Sequence, residues 1–287
     1  MKFGIIAPYA VGHVEEGAYA AEFARIAEDH GLESLWTVEH VLMTLQYDSV
    51  YPYDPSGRTP FTPHVAQPDP LVWLGYVAAA TKTIRLATGV LNLPQRNPFI
   101  LAKEIATLDR LSGGRMELGV GVGWVREEAE IIGANWEDRG KRANEYIEIL
   151  RALWSQDVSA HTGSYHTFRE VVSLPKPLQA GGVPIVIGGH SPAAARRAGR
   201  YGDGFFPLGV CDETLERLLD IMRSEADAAG RDPEGIELSL IGMPDLRSAE
   251  AAIERGADRM IFAALEGDLV KLGKLLDRFL PDVMERL

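Results

Sequence analysis

One cysteine, Cys211, stands among 287 residues. That excludes an intramolecular disulfide and any thiolate-rich metal cluster. Lysine is also scarce: seven residues, at positions 2, 82, 103, 141, 176, 271 and 274. None closes a predicted strand, so a Schiff-base lysine of the kind a barrel aldolase needs has no candidate. The His-x-His pairs and carboxylate clusters of metal-dependent barrels are missing too, and no metal site is expected. No apolar run approaches the length that spans a bilayer. The amino terminus, MKFGIIAPYA, is too short in its apolar part for a signal peptide and reads as a strand, so the chain is expected to be cytoplasmic, with no membrane contact. Positive charge is in deficit: 29 Lys and Arg face 41 Asp and Glu, a net charge of −12. That balance argues against nucleic acid as a partner, because phosphate backbones need clustered cations. The one basic cluster, Arg196, Arg197 and Arg200, lies on a single predicted helix. It reads as a solvated face or as a seat for one small anion.

Apolar β-type runs and helical patterns alternate along the chain. Strands are predicted at 3–7, 34–38, 84–90, 115–120, 184–187, 204–206, 236–241 and 259–263. Helical periodicity falls between them, as in Tyr146, Ile149, Leu150 and Leu153. Asp69-Pro70 is a helix start, a capping carboxylate before a proline whose missing N–H costs nothing there. Ser112-Gly113-Gly114 is a helix stop. Eight strands apolar enough to be buried on both faces, each followed by a helix, predict one α/β domain over 1–287, a (β/α)8 TIM barrel. A doubly wound open sheet is the alternative. Two long insertions interrupt the alternation, at about 39–69 and 156–183, the second including a hairpin-like "TGSYHTF". Long loops in compact domains usually serve as lids or binding loops.

Two glycine features carry chemistry. In "VPIVIGGHSPAAARRAGRYGDGFF" a strand hands over to a helix through Gly188-Gly189. A helix amino terminus exposes unpaired N–H groups and binds anions, and glycine lets a ligand approach the backbone. Ser191 either caps the helix or offers its hydroxyl to a phosphate oxygen; the residues favour neither. In "LGVGVGW", Gly119, Gly121 and Gly123 alternate with Val120 and Val122, so in a strand all three face one side. A bare face suits something flat or bulky pressed against the strand end, or tight packing on a helix. The dinucleotide fingerprint is not met, since Arg126 occupies the third glycine position.

The stretches "LPQRNPFILAKEIATLDRLSGGRMELGVGVGWVREEAEIIGA" and "DRGKRANEYIEILRALW" resemble the bacterial luciferase-like monooxygenase superfamily. Within it, they are most similar to the branch of probable coenzyme F-420-dependent (deazaflavin) oxidoreductases. "LESLWTVEHVLM", "IRLATGVLNLP", "LPKP" and "VPIVIGGHSPAAARRAGRYGDGFFP" continue the likeness to about Leu208. No single motif decides it; their order does. The resemblance implies a luciferase-like barrel with the cofactor at the strand carboxyl ends. Gly188, Gly189 and Ser191 would hold its phosphate, with Gly121, Val122 and Gly123 beside its side chain and ring. Gly89-Val90 matches the place where the deazaflavin branch has a non-proline cis peptide. Glu39-His40 matches an acidic residue followed by His, with His40 as proton donor and Glu39 orienting it.

Trp124 departs from the family's sugar-phosphate dehydrogenases, which carry a glutamate there, and so argues against glucose-6-phosphate oxidation by their route. It is expected to stack on substrate or ring. Arg126 is a candidate for an anionic substrate or the cofactor tail, with a solvated arginine equally open. His64 and Tyr51 are candidates for the pocket wall, and Asp203 a backbone-fixing residue. The resemblance further implies a small-molecule substrate, a homodimer, and a flavin or F-420 reductase supplying reduced cofactor. The leading expectation is hydride transfer with F-420; the alternative is an FMN-dependent two-component monooxygenase using dioxygen. A barrel acting on a substrate phosphate, and a non-catalytic flavin binder, are the remaining readings.

Overall fold

A computed structural model describes residues 1–286. The strands are β1 (Lys2–Ile6), β2 (Ser34–Thr37), β3 (Arg85–Thr88), β4 (Leu91–Asn92), β5 (Met116–Gly121), β6 (Ser159–Thr162), β7 (Thr167–Val171), β8 (Ile185–Gly188), β9 (Gly204–Phe206), β10 (Glu237–Gly242) and β11 (Arg259–Ala263). The helices are α1 (Gly17–Asp29), α2 (Pro70–Ala80), α3 (Pro98–Ser112), α4 (Arg126–Ile131), α5 (Arg139–Ser155), α6 (Pro192–Tyr201), α7 (Asp212–Ala228), α8 (Leu246–Glu254) and α9 (Leu269–Met284). Parallel pairing runs β1-β2-β3-β5-β8-β9-β10-β11 and returns to β1, closing an eight-stranded barrel. All eight predicted barrel strands are present, with ends moved by at most two residues. β4 is an addition, a two-residue ribbon beside β5.

The strands are apolar on both faces because both are buried. Outward residues such as Leu35, Leu86, Leu118, Ile185 and Phe262 pack beneath the helices. Their inward neighbours Trp36, Ala87, Val186, Phe206 and Ile261 fill the barrel. At the amino-terminal end the interior turns ionic. Arg259, 2% exposed, donates to Glu117 Oε1 at 2.9 Å and to Glu33 Oε2 at 2.9 Å. Burial alone would pull that guanidinium's pKa down, but Glu117, Glu33 and Glu237 outweigh it and hold it above its ordinary value. A charge so placed is tolerated only because it is paired.

Local signals set the helix ends. Asp69 accepts the N–H groups of Leu71 and Val72 at 2.9 and 3.0 Å, and Pro70 opens α2. The first insertion leaves β2 at its carboxyl end and therefore stands over that mouth of the barrel. The second follows a helix, α5. Its β6–β7 hairpin packs outside the barrel, with Phe168 against Phe99 and His166 against Tyr146 at centroid distances of 5.4 and 5.6 Å. Glu145 of α5 accepts the turn N–H groups of Ser164 and His166, each at 2.7 Å. The hairpin is as expected, but it lines no part of the cleft. A helix-to-strand connection returns toward the opposite end of the barrel from the functional loops.

Candidate active site

A cleft of ≈ 1250 Å³ opens at the carboxyl ends of the strands. Its floor is glycine. A Cβ on Gly119 would sit 1.8 Å from the Thr88 carbonyl oxygen, and one on Gly121 or Gly188 would meet Val90 at 2.6 or 2.5 Å. What presses on the bare face of β5 is thus first of all the chain itself, the bulge at Gly89-Val90. That peptide is cis, as the resemblance implied. Gly123 lies beyond the strand with φ +77°, so the third glycine serves a turn, not the same face. Gly189 takes φ +115°, a conformation that needs glycine, and delivers the chain into α6. Ser191 Oγ accepts the Ala194 N–H at 3.2 Å, settling its local role as the helix cap.

His40 lines the cleft, and its Nδ1 lies 2.9 Å from Glu128 Oε2. Glu128, from α4, is 1% exposed; its other oxygen accepts the N–H groups of Val41 at 2.6 Å and Leu42 at 3.3 Å. The predicted partner, Glu39, is engaged elsewhere. It accepts the Asn92 N–H at 2.5 Å and Arg96 Nε at 2.8 Å, and Arg96 continues to Asp69 at 2.6 Å. Burial pushes the Glu39 carboxyl upward, with Arg96 and the Asn92 N–H pulling against it. Glu39 therefore ties the β2 end to β4 and α2, while Glu128 orients His40. With Nδ1 held by a carboxylate, Nε2 is the ring nitrogen left for the cleft. Glu128 escaped the sequence reading because acids in a first helical turn need no explanation beyond the helix dipole.

The insertion forms one wall. Trp124 meets His40, Tyr47 and Tyr51 edge to face at centroid distances of 5.8, 5.6 and 5.0 Å. Tyr51 continues to Tyr53 at 5.3 Å, and Tyr53 to His190 at 5.0 Å. Glu127 pins this loop, accepting Ser49 Oγ at 2.6 Å and the Asp48 N–H at 2.5 Å. The opposite wall, from α5 and α6, is basic: Arg139, Lys141, Arg196 and Arg197 line it. Arg197 is 8% exposed and is met only by Asn144 Oδ1 at 2.7 Å and the Gly140 carbonyl at 3.0 Å. Arg139 stacks on Trp136 at 3.6 Å, with its Nε buried and unpartnered. Among the described residues none of these four forms an ion pair. Burial pulls the Arg197 and Arg139 guanidinium groups below their ordinary values, the direction a bound anion reverses.

Gly89, Val90, Gly121, Val122, Gly123, Gly188, Gly189, Ser191, Glu39, His40, Trp124 and Arg126 thus all border one cleft. Arg126 is at its rim, neutralised by Glu130 at 2.7 Å and Glu137 at 3.1 Å, which leaves little charge for a ligand. His64 is exposed and lies outside the lining residues; the insertion turns it away. Asp203 acts on backbone as expected, accepting the Ile185 N–H at 2.8 Å.

The family model described as luciferase-like monooxygenase matches residues 1–280. The chain belongs to this family. The chain is similar to an uncharacterised Mycobacterium tuberculosis protein, 34% identical over 86% of this chain and 88% of that protein. An F420-dependent glucose-6-phosphate dehydrogenase of Amycolatopsis mediterranei is 31% identical over 81% of this chain and 67% of its own. An FMNH2-dependent dimethylsulfone monooxygenase of Pseudomonas putida is 30% identical over 74% of this chain and 54% of its own. The family thus spans deazaflavin- and flavin-dependent oxidoreductases. Among the described residues no helix is long and apolar enough to cross a membrane.

Proposed function

We propose that this chain is a coenzyme F-420-dependent oxidoreductase that moves a hydride between the cofactor and a small organic substrate. The observation that carries the choice is the uncompensated basic wall beside Gly188, Gly189 and Ser191. FMN brings a single phosphate, whereas F-420 extends beyond its phosphate into a tail carrying carboxylates. Four unpaired cations, one of them the buried Arg197, suit several negative charges better than one. The backbone N–H groups at the start of α6 would take the phosphate, and Val90, with Gly121 and Gly188 behind it, would support the ring.

When bound, the deazaflavin supplies or accepts the hydride. His40 Nε2 handles the proton that accompanies it, giving one to a carbonyl oxygen in reduction or taking one from a hydroxyl in oxidation. Glu128 fixes the tautomer by accepting a hydrogen bond from Nδ1–H and stabilises the ring when it is charged. The aromatic wall keeps water from the reacting atoms. The monooxygenase reading is supported by the description of the family and by the Pseudomonas putida relative, and would require a partner reductase.

Anaerobic mixing of the chain and reduced F-420 with a panel of carbonyl compounds tests the reading. Recovery of the oxidised deazaflavin absorbance, lost in His40→Gln, is expected. Turnover only with reduced FMN and dioxygen would overturn it.

A further inference from the structure

Tyr51 and Tyr53, from the insertion that follows β2, link Trp124 beyond β5 to His190 beyond β8 in a row of four aromatic rings along the cleft, at centroid distances of 5.0, 5.3 and 5.0 Å. Each contact is edge to face, so neighbouring rings stand steeply to one another and the wall alternates ring faces and ring edges. At one end stands His40, edge to face with Trp124. Among the described residues the phenol oxygens of Tyr51 and Tyr53 have no hydrogen-bond partner, although both residues line the cleft. Burial pushes the Tyr53 phenol up to about 12 and the Tyr51 phenol upward as well, so both remain neutral donors.

Charge divides the cleft. The free cations lie on α5 and α6; the insertion side holds Asp48 at its rim and Glu127, which is engaged by Ser49. Arg126 carries its own two carboxylates. Arg58, the single arginine of the insertion, sits over the Tyr47 ring at 4.7 Å, donates to the Tyr47 carbonyl at 2.7 Å and lies outside the residues lining the cleft. A substrate bearing phosphate or carboxylate therefore finds no unpaired cation lining the cleft on this side.

We propose that the cleft takes an uncharged, planar aromatic or conjugated carbonyl compound, its ring packed against the faces and edges of the Trp124–Tyr51–Tyr53 wall and its oxygen toward His40. The substrate side of this chain thus differs in kind from one built for a sugar phosphate. Trp124, Tyr51 and Tyr53 offer ring contacts from differently tilted planes, and the two tyrosines offer hydroxyl donors to substituents. This rests on the oxidoreductase reading of the cleft for the word substrate, and on the wall alone for the preference in binding.

Calorimetric titration of the chain in the presence of excess oxidised F-420 tests it, with three probes of similar size: acetophenone, cyclohexyl methyl ketone and benzoate. Acetophenone is expected to bind roughly tenfold or more tightly than cyclohexyl methyl ketone, the gain that one or two aromatic ring contacts provide. Benzoate is expected to bind more weakly than acetophenone. The double variant Tyr51→Ala, Tyr53→Ala should lose the preference while keeping its circular dichroism spectrum. Equal binding of the two ketones, tighter binding of benzoate, absence of ketone binding, or a preference that survives the double variant would each overturn the inference. A separate F-420 titration keeps the two readings apart. Acetophenone preference without F-420 binding sinks the cofactor assignment alone. F-420 binding without the preference sinks the substrate class alone.

Discussion

His40 and Glu128 stand 88 positions apart in the chain and 2.9 Å apart in space. If Nε2 carries the proton, His40→Gln should lower turnover with F-420 by roughly 100-fold to 10,000-fold while leaving F-420 affinity unchanged. Glu128→Gln should also lower turnover. Its distinguishing signature is a fall in turnover with F-420 affinity unchanged. A parallel loss of cofactor binding would show a structural role instead. His40 was legible because it closes a strand in a recognisable dipeptide. Its partner was not, since Glu39, adjacent in sequence, looked the natural choice and proves to be held by Arg96 and Asn92. Neighbouring residues at a strand end point in different directions, so adjacency carried no information about contact. The Arg196-Arg197-Arg200 cluster was visible, but sequence gives no burial. It could not show that Arg197 lacks a carboxylate whereas Arg200 has Glu225 at 2.6 Å.

The element that shapes the site is the insertion between β2 and α2, and α4 pins it at two places with consecutive glutamates. Glu128 holds the backbone at Val41 and Leu42, and Glu127 holds it at Asp48 and Ser49. Burial raises the Glu127 carboxyl, but the Ser49 hydroxyl and backbone N–H groups outweigh it and leave the group at about 2, against 4.5 unperturbed. A depressed folded-state pKa makes this clamp's contribution complete above pH 4.5 and lost as pH falls through about 2. Hydrogen exchange across 39–69, corrected for intrinsic rates, should therefore accelerate in that acid window. Glu127→Gln should show the acceleration already at neutral pH. Exchange unaffected by the substitution would show that the loop is held by other contacts. For β5, sequence correctly indicated that a bare glycine face must meet something bulky. It could not show that Thr88 and Val90 come first, because that contact joins strands about thirty residues apart.

At the scale of the molecule, the barrel was legible because period and punctuation agree. Eight short apolar runs, most of them stopped by glycine or proline, left little else to build. Net charge was a poorer guide: a chain at −12 still presents a basic wall to its own cleft. The homodimer implied by the resemblance has a candidate seam. Val72 and Tyr76 on α2 and Ile100 and Leu111 on α3 are exposed on two helices that pack side by side. We propose that these faces pair between copies. Light scattering should give about twice the 31.4 kDa chain mass, and Val72→Glu with Ile100→Glu should halve it. A monomer in the unsubstituted protein would remove the proposal.

The cofactor is the central claim, and titration of the apoprotein with F-420 and with FMN, each oxidised and reduced, tests it most directly. Saturable F-420 binding, with FMN much weaker, is the predicted result. Arg197→Ala should weaken F-420 by roughly tenfold to 100-fold, the worth of one charge-assisted hydrogen bond. Preference for reduced FMN, or F-420 affinity indifferent to Arg197, would contradict the account.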